Sequence, residues 1–204
     1  MAKLYFSYSA MNAGKSTILL QASHNYRERG MHTLLLTSSF DDREGKGRIA
    51  SRIGLGMEAE LFHPDTDLHA FIVAEHERNR VDCVFIDEAQ FLSEKQVWQL
   101  ARIGDEMGIP VMCYGLRTDF QGKLFPGSAI LLAIADQLRE IRTICWCGSK
   151  ATMVVRLDGE GRIIEDGEQI VIGGEDKYVS LCRKHWARKQ LGAAGNEPLP
   201  ENDE

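Results

Sequence analysis

Three clusters in this sequence combine residue types and spacings that can do chemistry. The first is Ser9-Ala10-Met11-Asn12-Ala13-Gly14-Lys15-Ser16-Thr17. Such a loop offers a polyphosphate its backbone N–H groups and a helix N-terminus, while Lys15 adds a mobile cation and the Ser16 hydroxyl can ligate a phosphate-bound Mg²⁺. The usual spacing is Gly, four residues, then Gly-Lys-Ser/Thr; here Ser9 stands in place of the first glycine. The bland alternative is a helix start, with Gly14 turning the chain and Ser16-Thr17 capping. The second cluster is Asp87-Glu88. Beside a phosphate loop, Asp87 takes the Mg²⁺ shell and Glu88 is left for another role; in isolation the pair reads as the start of a solvated loop. The third is Cys145-x-Cys147 with Cys182-x-x-His185. Four soft or borderline ligands flanking one β-rich insert fit a closed tetrahedral Zn²⁺ site, against the reading of three unlinked cysteines and a surface histidine.

Each cluster needs an element to hold it. Leu4 to Tyr8 alternates as a strand does, and apolar residues resume at helical spacing at Ile18, Leu19, Ala22 and Tyr26, so the loop joins a strand to a helix. Thr33 to Thr37 is a strand buried on both faces, which gives the strand, helix, strand order of an α/β domain. Ser39 to Met57 is polar and glycine-rich and is expected to be a mobile loop, with Arg43 the basic side chain best placed to reach a phosphate. An amphipathic helix is expected over Asp67 to Arg80. Val81 to Ile86 is an apolar strand whose end carries Asp87 and Glu88 to the carboxyl edge of the sheet, where open α/β folds bind ligands.

Ser93 to Met107 is expected to be a helix with a Ser93-x-x-Gln96 capping pattern and a stop at Gly108. Pro110 to Leu116 is the next strand, and Cys83 and Cys113 inside strands read as core packing. The loop Arg117 to Phe125 carries Phe120 and Phe125, which either stack on a planar ligand or pin the loop. A short helix over Ala129 to Ala135 and a strand over Leu138 to Cys145 complete the alternating rhythm. Strand and turn signals follow at Thr152 to Leu157, Asp158 to Gly161 and Gln169 to Gly174. The organisation expected is a P-loop core over 1–144, a zinc-binding lobe over 145–191 and a disordered acidic tail over 192–204.

The 204 residues suit one ordinary domain with a small appendage, and an apolar share of 44% suffices for a core. No apolar run reaches a membrane span and the start lacks a signal-peptide layout, so a cytoplasmic protein is expected. A net charge of −6 argues against general affinity for nucleic-acid backbone and favours a small partner. Five scattered cysteines point to metal ligation or burial before a disulfide framework.

Taken in order, the phosphate loop, Asp87-Glu88-Ala89-Gln90-Phe91, Tyr114-Gly115-Leu116-Arg117-Thr118-Asp119-Phe120, the cysteine pairs and Val171-Ile172-Gly173-Gly174 through Tyr178 resemble the type II, zinc-containing thymidine kinases, from Lys3 to about Leu191. The resemblance implies a RecA-like P-loop domain with a parallel sheet and a small zinc lobe whose lasso loop closes over the nucleoside. It implies transfer of the γ-phosphoryl group of ATP, with Mg²⁺, to the 5′-hydroxyl of thymidine or deoxyuridine, by a homodimer or homotetramer; the net charge and the lack of a long apolar run add the expectation of no nucleic-acid or membrane partner. Carried over by position, residues 9–17 and 87–90 bind the donor nucleotide, Lys15 and Ser16 hold its phosphate and Mg²⁺, Asp87 sits in the Mg²⁺ shell, and Glu88 is the general base. Met11, Phe91, Leu116, Phe120 and Phe125 surround the thymine, while Tyr178 and the backbone of Ile170, Val171, Ile172, Gly173 and Gly174 close the lasso. Two departures stand out: Ser9 for the first loop glycine, and Cys-x-Cys with His185 where many relatives have Cys-x-x-Cys twice. Two other classes compete: a P-loop ATPase whose zinc finger grips nucleic acid, and a non-catalytic zinc-binding interaction protein.

Overall fold

The computed structural model describes residues 3–40, 47–169 and 177–192. The chain divides into two compact units, one gathering the residues up to Tyr8, Gly14–Arg117 and Phe125–Ile141, the other Ser9–Ala13, Thr118–Leu124 and the chain from Arg142. Arg43, the residues 170–174 expected in the lasso and the tail from 193 lie outside the described residues.

The first unit is an α/β layer structure. In chain order its elements are β1 (Leu4–Ser9), α1 (Lys15–Glu28), β2 (Thr33–Ser38), β3 (Arg48–Ala50), β4 (Gly56–Glu58), β5 (Glu60–Phe62), α2 (Leu68–Arg78) and β6 (Cys83–Ile86). A 3-10 turn over Ala89–Phe91 follows, then α3 (Glu94–Met107), β7 (Val111–Leu116), α4 (Pro126–Ile134) and β8 (Gln137–Glu140). The main sheet has the order β5-β2-β6-β7-β1-β8. β2 runs parallel to both β5 and β6, β6 parallel to β7, and β1 parallel to β8. The expected P-loop core with a parallel sheet is therefore present.

Side-chain alternation along the central strands builds a core on each face. Val84 and Ile86 point with Leu34, Leu36, Phe6 and Cys113 toward α2, α3 and α4, where Ile72, Val97, Leu100, Ile103 and Leu131 meet them. Cys83 and Phe85 point the other way with Leu35 and Tyr114, against Leu19 and Leu20 of α1. Burying side chains such as Val84, Phe85 and Ile86 contributes roughly 1.5–3 kcal/mol each. Both strand cysteines are fully buried packing residues, as expected. α3 opens on the expected capping box, with the Ser93 hydroxyl accepting from the Gln96 N–H and the Gln96 side chain accepting from the Ser93 N–H, and it stops at a left-handed Gly108. Among the described residues no helix is long and apolar enough to cross a membrane.

Several boundaries differ from expectation. The stretch expected as one mobile loop over Ser39 to Met57 contains the hairpin β3–β4, paired Arg48↔Glu58, Ile49↔Met57 and Ala50↔Gly56. Ile49 anchors it by packing in the α1-side core, and the Arg48 guanidinium covers Gly56, where a Cβ would stand 2.6 Å from it. β5 was not anticipated, being only three residues long and at the sheet edge, yet it buries Phe62. α4 starts at Pro126 instead of Ala129, since proline at the first position of a helix is preset for that backbone. The strand expected over Leu138 to Cys145 breaks after Glu140, and Thr143–Ile144 (β9) pairs elsewhere.

In the second unit β9 pairs with β10 (Lys150–Ala151), and β11 (Met153–Leu157) lies between β12 (Ile163–Ile164) and β13 (Lys177–Leu181) in an antiparallel sheet, before the short helix α5 (Arg183–Ala187). Its core is small, built from Cys145, Ala151, Val155, Leu157, Leu181, Cys182 and Leu191. The loop Thr118–Leu124 belongs here. Phe120 is buried with the Arg156 guanidinium 4.4 Å from its ring centre, and the Trp186 indole N–H is shared between the carbonyls of Phe120 and Val154.

Candidate functional site

The loop after β1 turns through two left-handed residues, Asn12 (φ 60°) and Gly14 (φ 80°), and delivers Lys15 to the first position of α1. Successive N–H groups in such a turn form an anion-binding concavity at a positive helix end. Among the described residues no side chain caps α1, and its first turn holds no acidic residue. Ser9 is buried and is not among the residues of positive φ, so the missing glycine costs no backbone strain there; its hydroxyl donates to the Ala10 carbonyl. The Met11 carbonyl accepts from the Ser180 hydroxyl at 2.7 Å.

Ser16 and Asp87 come together although they stand 71 positions apart: the Ser16 hydroxyl donates to Asp87 Oδ2 at 2.9 Å. Two cis ligands of an octahedral Mg²⁺ at ~2.1 Å lie ~3.0 Å apart, so this hydroxyl–carboxylate pair already has the spacing for that ion. Asp87 is fixed by its own N–H donating to the Leu36 carbonyl and by Oδ1 accepting from the Glu88 N–H. Burial, then the nearby Glu88 charge, push its carboxyl up to about 7, against the opposing pull of the Ser16 hydrogen bond, the Glu88 N–H and Lys15. A buried carboxylate in that state gains from a cation.

Glu88 does not continue the strand. Its backbone is left-handed (φ 51°, ψ 38°), an uncommon conformation for a side-chain-bearing residue, and it opens the 3-10 turn Ala89–Phe91. The direction of Glu88 relative to Asp87 is therefore set by this turn and not by the alternation of a strand. Glu88 Oε2 accepts from the Gln90 side-chain amide, whose oxygen accepts from the Leu116 N–H at 2.9 Å. Lys15, Ser16, Asp87, Glu88, Gln90 and Leu116 all belong to the first unit.

Of the residues expected around a planar base, Phe91 and Phe125 pack edge to face at 6.0 Å, and Phe40, at the exit of β2, joins them 5.8 Å from Phe91. Phe40 was not singled out from sequence; its position just beyond a buried strand was the available signal. Met11, Phe120 and Tyr178 belong to the second unit, with Tyr178 on β13 opposite Arg156.

The four expected soft ligands converge. Their ligand atoms lie within 4.8 Å of one another, with Cys145 Sγ and Cys182 Sγ each 3.5 Å from His185 Nδ1 and the sulfurs of Cys147 and Cys182 4.0 Å apart. A tetrahedron with ~2.3 Å metal–sulfur bonds has edges of ~3.8 Å, so the set fits a closed four-coordinate site. The one-residue spacing of the first pair works because the chain turns tightly at Gly148 (φ 79°), whose N–H donates to the Cys145 carbonyl. Trp146 stacks on the His185 ring at 4.3 Å and fixes its plane. Hydrogen bonds involving Ser149 draw the Cys147 thiol down to about 7, toward the thiolate a metal requires.

Comparison with known proteins agrees with this layout. The family described as Thymidine kinase matches residues 2–186. A thymidine kinase of Agrobacterium fabrum is 67% identical over 91% of this chain and 96% of its own, and one of Ruegeria pomeroyi is 65% identical over 96% of this chain and 98% of its own. Among solved structures, the Pif1 helicase of Candida albicans overlays 70% of this chain and 36% of its own at a TM-score of 0.43 and 14% identity, too slight a likeness to bear on function. Identity that high, over nearly the whole of both partners, is decisive: the chain belongs to the thymidine kinase family.

Proposed function

We propose that this chain transfers the γ-phosphoryl group of ATP to the 5′-hydroxyl of thymidine or deoxyuridine, giving the monophosphate in nucleotide salvage. The observation that carries the chemistry is the Ser16–Asp87 pair at 2.9 Å beside Lys15, on top of 67% identity to a thymidine kinase. Backbone N–H groups of residues 9–17 and the Lys15 ammonium hold the donor phosphates, with residues 87–90 alongside. Ser16 and Asp87 hold Mg²⁺, which when bound offsets charge on the transferring group. Glu88 accepts the proton of the 5′-hydroxyl. Met11, Phe91, Leu116, Phe120 and Phe125 contact the thymine. The assignment of Tyr178 and of residues 170–174 to nucleoside closure rests on the family resemblance, and that of Arg43 to the phosphates on its being the basic side chain of the polar loop best placed to reach them.

We further assign the Cys145, Cys147, Cys182 and His185 set to structural Zn²⁺, which would supply folding energy to a unit with a small core. A P-loop core over 1–144, a zinc lobe over 145–191 and a tail from 192, in a cytoplasmic homo-oligomer, complete the reading. The test is ADP release by the purified chain with ATP and Mg²⁺, comparing thymidine, deoxyuridine and single-stranded DNA. Release that requires thymidine or deoxyuridine is expected. Release driven by DNA and indifferent to thymidine contradicts the proposal and favours a nucleic-acid-dependent ATPase.

A further inference from the structure

Gln90 lies at the middle of the turn that follows the carboxylate pair and is only 1% exposed. Its hydrogen-bond partners settle which way the amide faces. The Leu116 N–H is a donor only, so the amide oxygen must face it, 2.9 Å away. The amide nitrogen must then face the other way, and there it donates to Glu88 Oε2. Both polar ends of this buried side chain are thus used by protein groups, one on the backbone of β7 and one on the carboxylate assigned to the acceptor proton.

The space for this arrangement is made by two glycines. A Cβ on Gly115 would stand 2.8 Å from the Gln90 side-chain amide oxygen and 3.0 Å from the Gln90 backbone nitrogen. Gly115 does not have a positive φ, so glycine is present for room and not for its dihedral freedom. On α4, a Cβ on Gly127 would stand 2.6 Å from the Leu92 carbonyl oxygen, 2.7 Å from that of Ala89 and 3.0 Å from that of Gln90. The turn is therefore seated against two positions without a Cβ, and the left-handed Glu88 at its head is restrained from its side-chain end by Gln90.

We propose that Gln90 is a positioning residue: its amide, oriented by the Leu116 N–H, holds one oxygen of the Glu88 carboxylate so that the other is directed to the acceptor hydroxyl. The inference rests on the reading of Glu88 as general base. It assigns Gln90 a role in proton acceptance, distinct from contact with the donor nucleotide, and gives Gly115 and Gly127 the role of making room for it. The backbone N–H that orients the amide belongs to Leu116, a residue of the proposed thymine wall, so the base and the nucleoside site share one rigid connection.

The test is a double-mutant cycle on the full chain with Glu88→Gln and Gln90→Met, the latter keeping the volume and removing the donor. Gln90→Met is expected to lower kcat by about 10- to 100-fold, the scale of a small misplacement of a reacting group, with the KM values for thymidine and ATP changed by less than about threefold. In the Glu88→Gln background the same change is expected to lower kcat by less than about twofold, because the group it positions has already lost its function. Equal losses in both backgrounds, or a rise in KM with kcat intact, overturn the proposal. If Glu88→Gln alone leaves kcat unchanged, the base assignment itself fails, an outcome separate from a slow Glu88→Gln enzyme that Gln90→Met slows as much as it slows the parent, which defeats the positioning role alone. Should Gln90→Met not fold, Gln90→Glu keeps both the volume and the acceptor for Leu116 while replacing the donor, and the same cycle decides.

Discussion

The sheet of the first unit and the small lobe of the second reach order by different means. In the first, Val84, Phe85, Ile86, Leu34, Leu35 and Leu36 are buried between helices on two faces, and each side of the sheet has its own apolar cluster. In the second, the core is short, two of its members are cysteines, and the strands β9, β10 and β12 are only two residues long. What the first unit has in excess, it uses: a buried Asp87 held near neutrality and a left-handed Glu88 are both unfavourable, and a well-packed sheet tolerates them. The second unit has the smaller core, and its Cys₃His cluster lies where a metal would compensate. Substitutions at the carboxyl edge of the sheet should therefore change rate at nearly constant stability, whereas substitutions in the cluster should change stability first.

The largest effect expected on rate is that of Glu88→Gln, which keeps the shape and the hydrogen bond to Gln90 but cannot take a proton. Single-turnover phosphorylation at saturating substrates should slow by roughly 10²–10⁴-fold, with melting temperature nearly unchanged. Asp87→Asn should mainly raise the Mg²⁺ requirement; if excess Mg²⁺ rescues Glu88→Gln and not Asp87→Asn, the two roles are reversed. Lys15→Ala removes the cation at the head of α1 and should cut turnover by about 10²–10³-fold while calorimetric thymidine binding survives. Near-normal turnover in that variant defeats the phosphate-loop assignment.

Cys182→Ser should act on the other side of the comparison. Metal analysis of the parent should find about one zinc per chain, and the variant should melt at lower temperature while the turnover of the molecules that remain folded changes much less. Freshly purified, active enzyme without zinc contradicts the metal assignment. The smallest effect expected is one of pH. A carboxyl whose folded pKa of about 7 exceeds its ordinary 3.8 holds more protons folded than unfolded between those values. Asp87 thus adds stability at low pH and withdraws it as pH rises through that window. Since only the carboxylate ligates Mg²⁺, thermal protection by Mg²⁺ with ATP should weaken as pH falls from 8 to 6, and Asp87→Asn should remove that pH dependence. Equal protection at both pH values in the parent argues against Asp87 as the ligand.

Much of this was legible in the sequence because its signals are local. An apolar run ending in Asp87-Glu88 marks a strand edge, Ser93-x-x-Gln96 marks a helix start, and the four soft ligands flank a single insert. Ser9 obscured the phosphate loop only to a strict pattern, since the structure asks no positive φ of it. What escaped depends on long-range packing. The β3–β4 hairpin is held by Ile49 in a core formed mainly by distant residues, and β5 exists because β2 offers it an edge. The joint use of the Gln90 amide by Glu88 and Leu116 spans 26 residues, and no periodicity or motif encodes it. The left-handed turn at Glu88 likewise leaves no mark in composition, since glutamate is not a residue that announces it.

The claim that the two units are held by different physics is tested most directly by hydrogen exchange on the full-length protein before and after zinc chelation. The account predicts that amides of β11, β13 and α5, such as Val155, Leu181 and Trp186, lose protection when the metal is removed, while those of β6 and β7, such as Phe85, Ile86 and Cys113, keep theirs. Loss of protection across both units at once, or no loss in either, would contradict it.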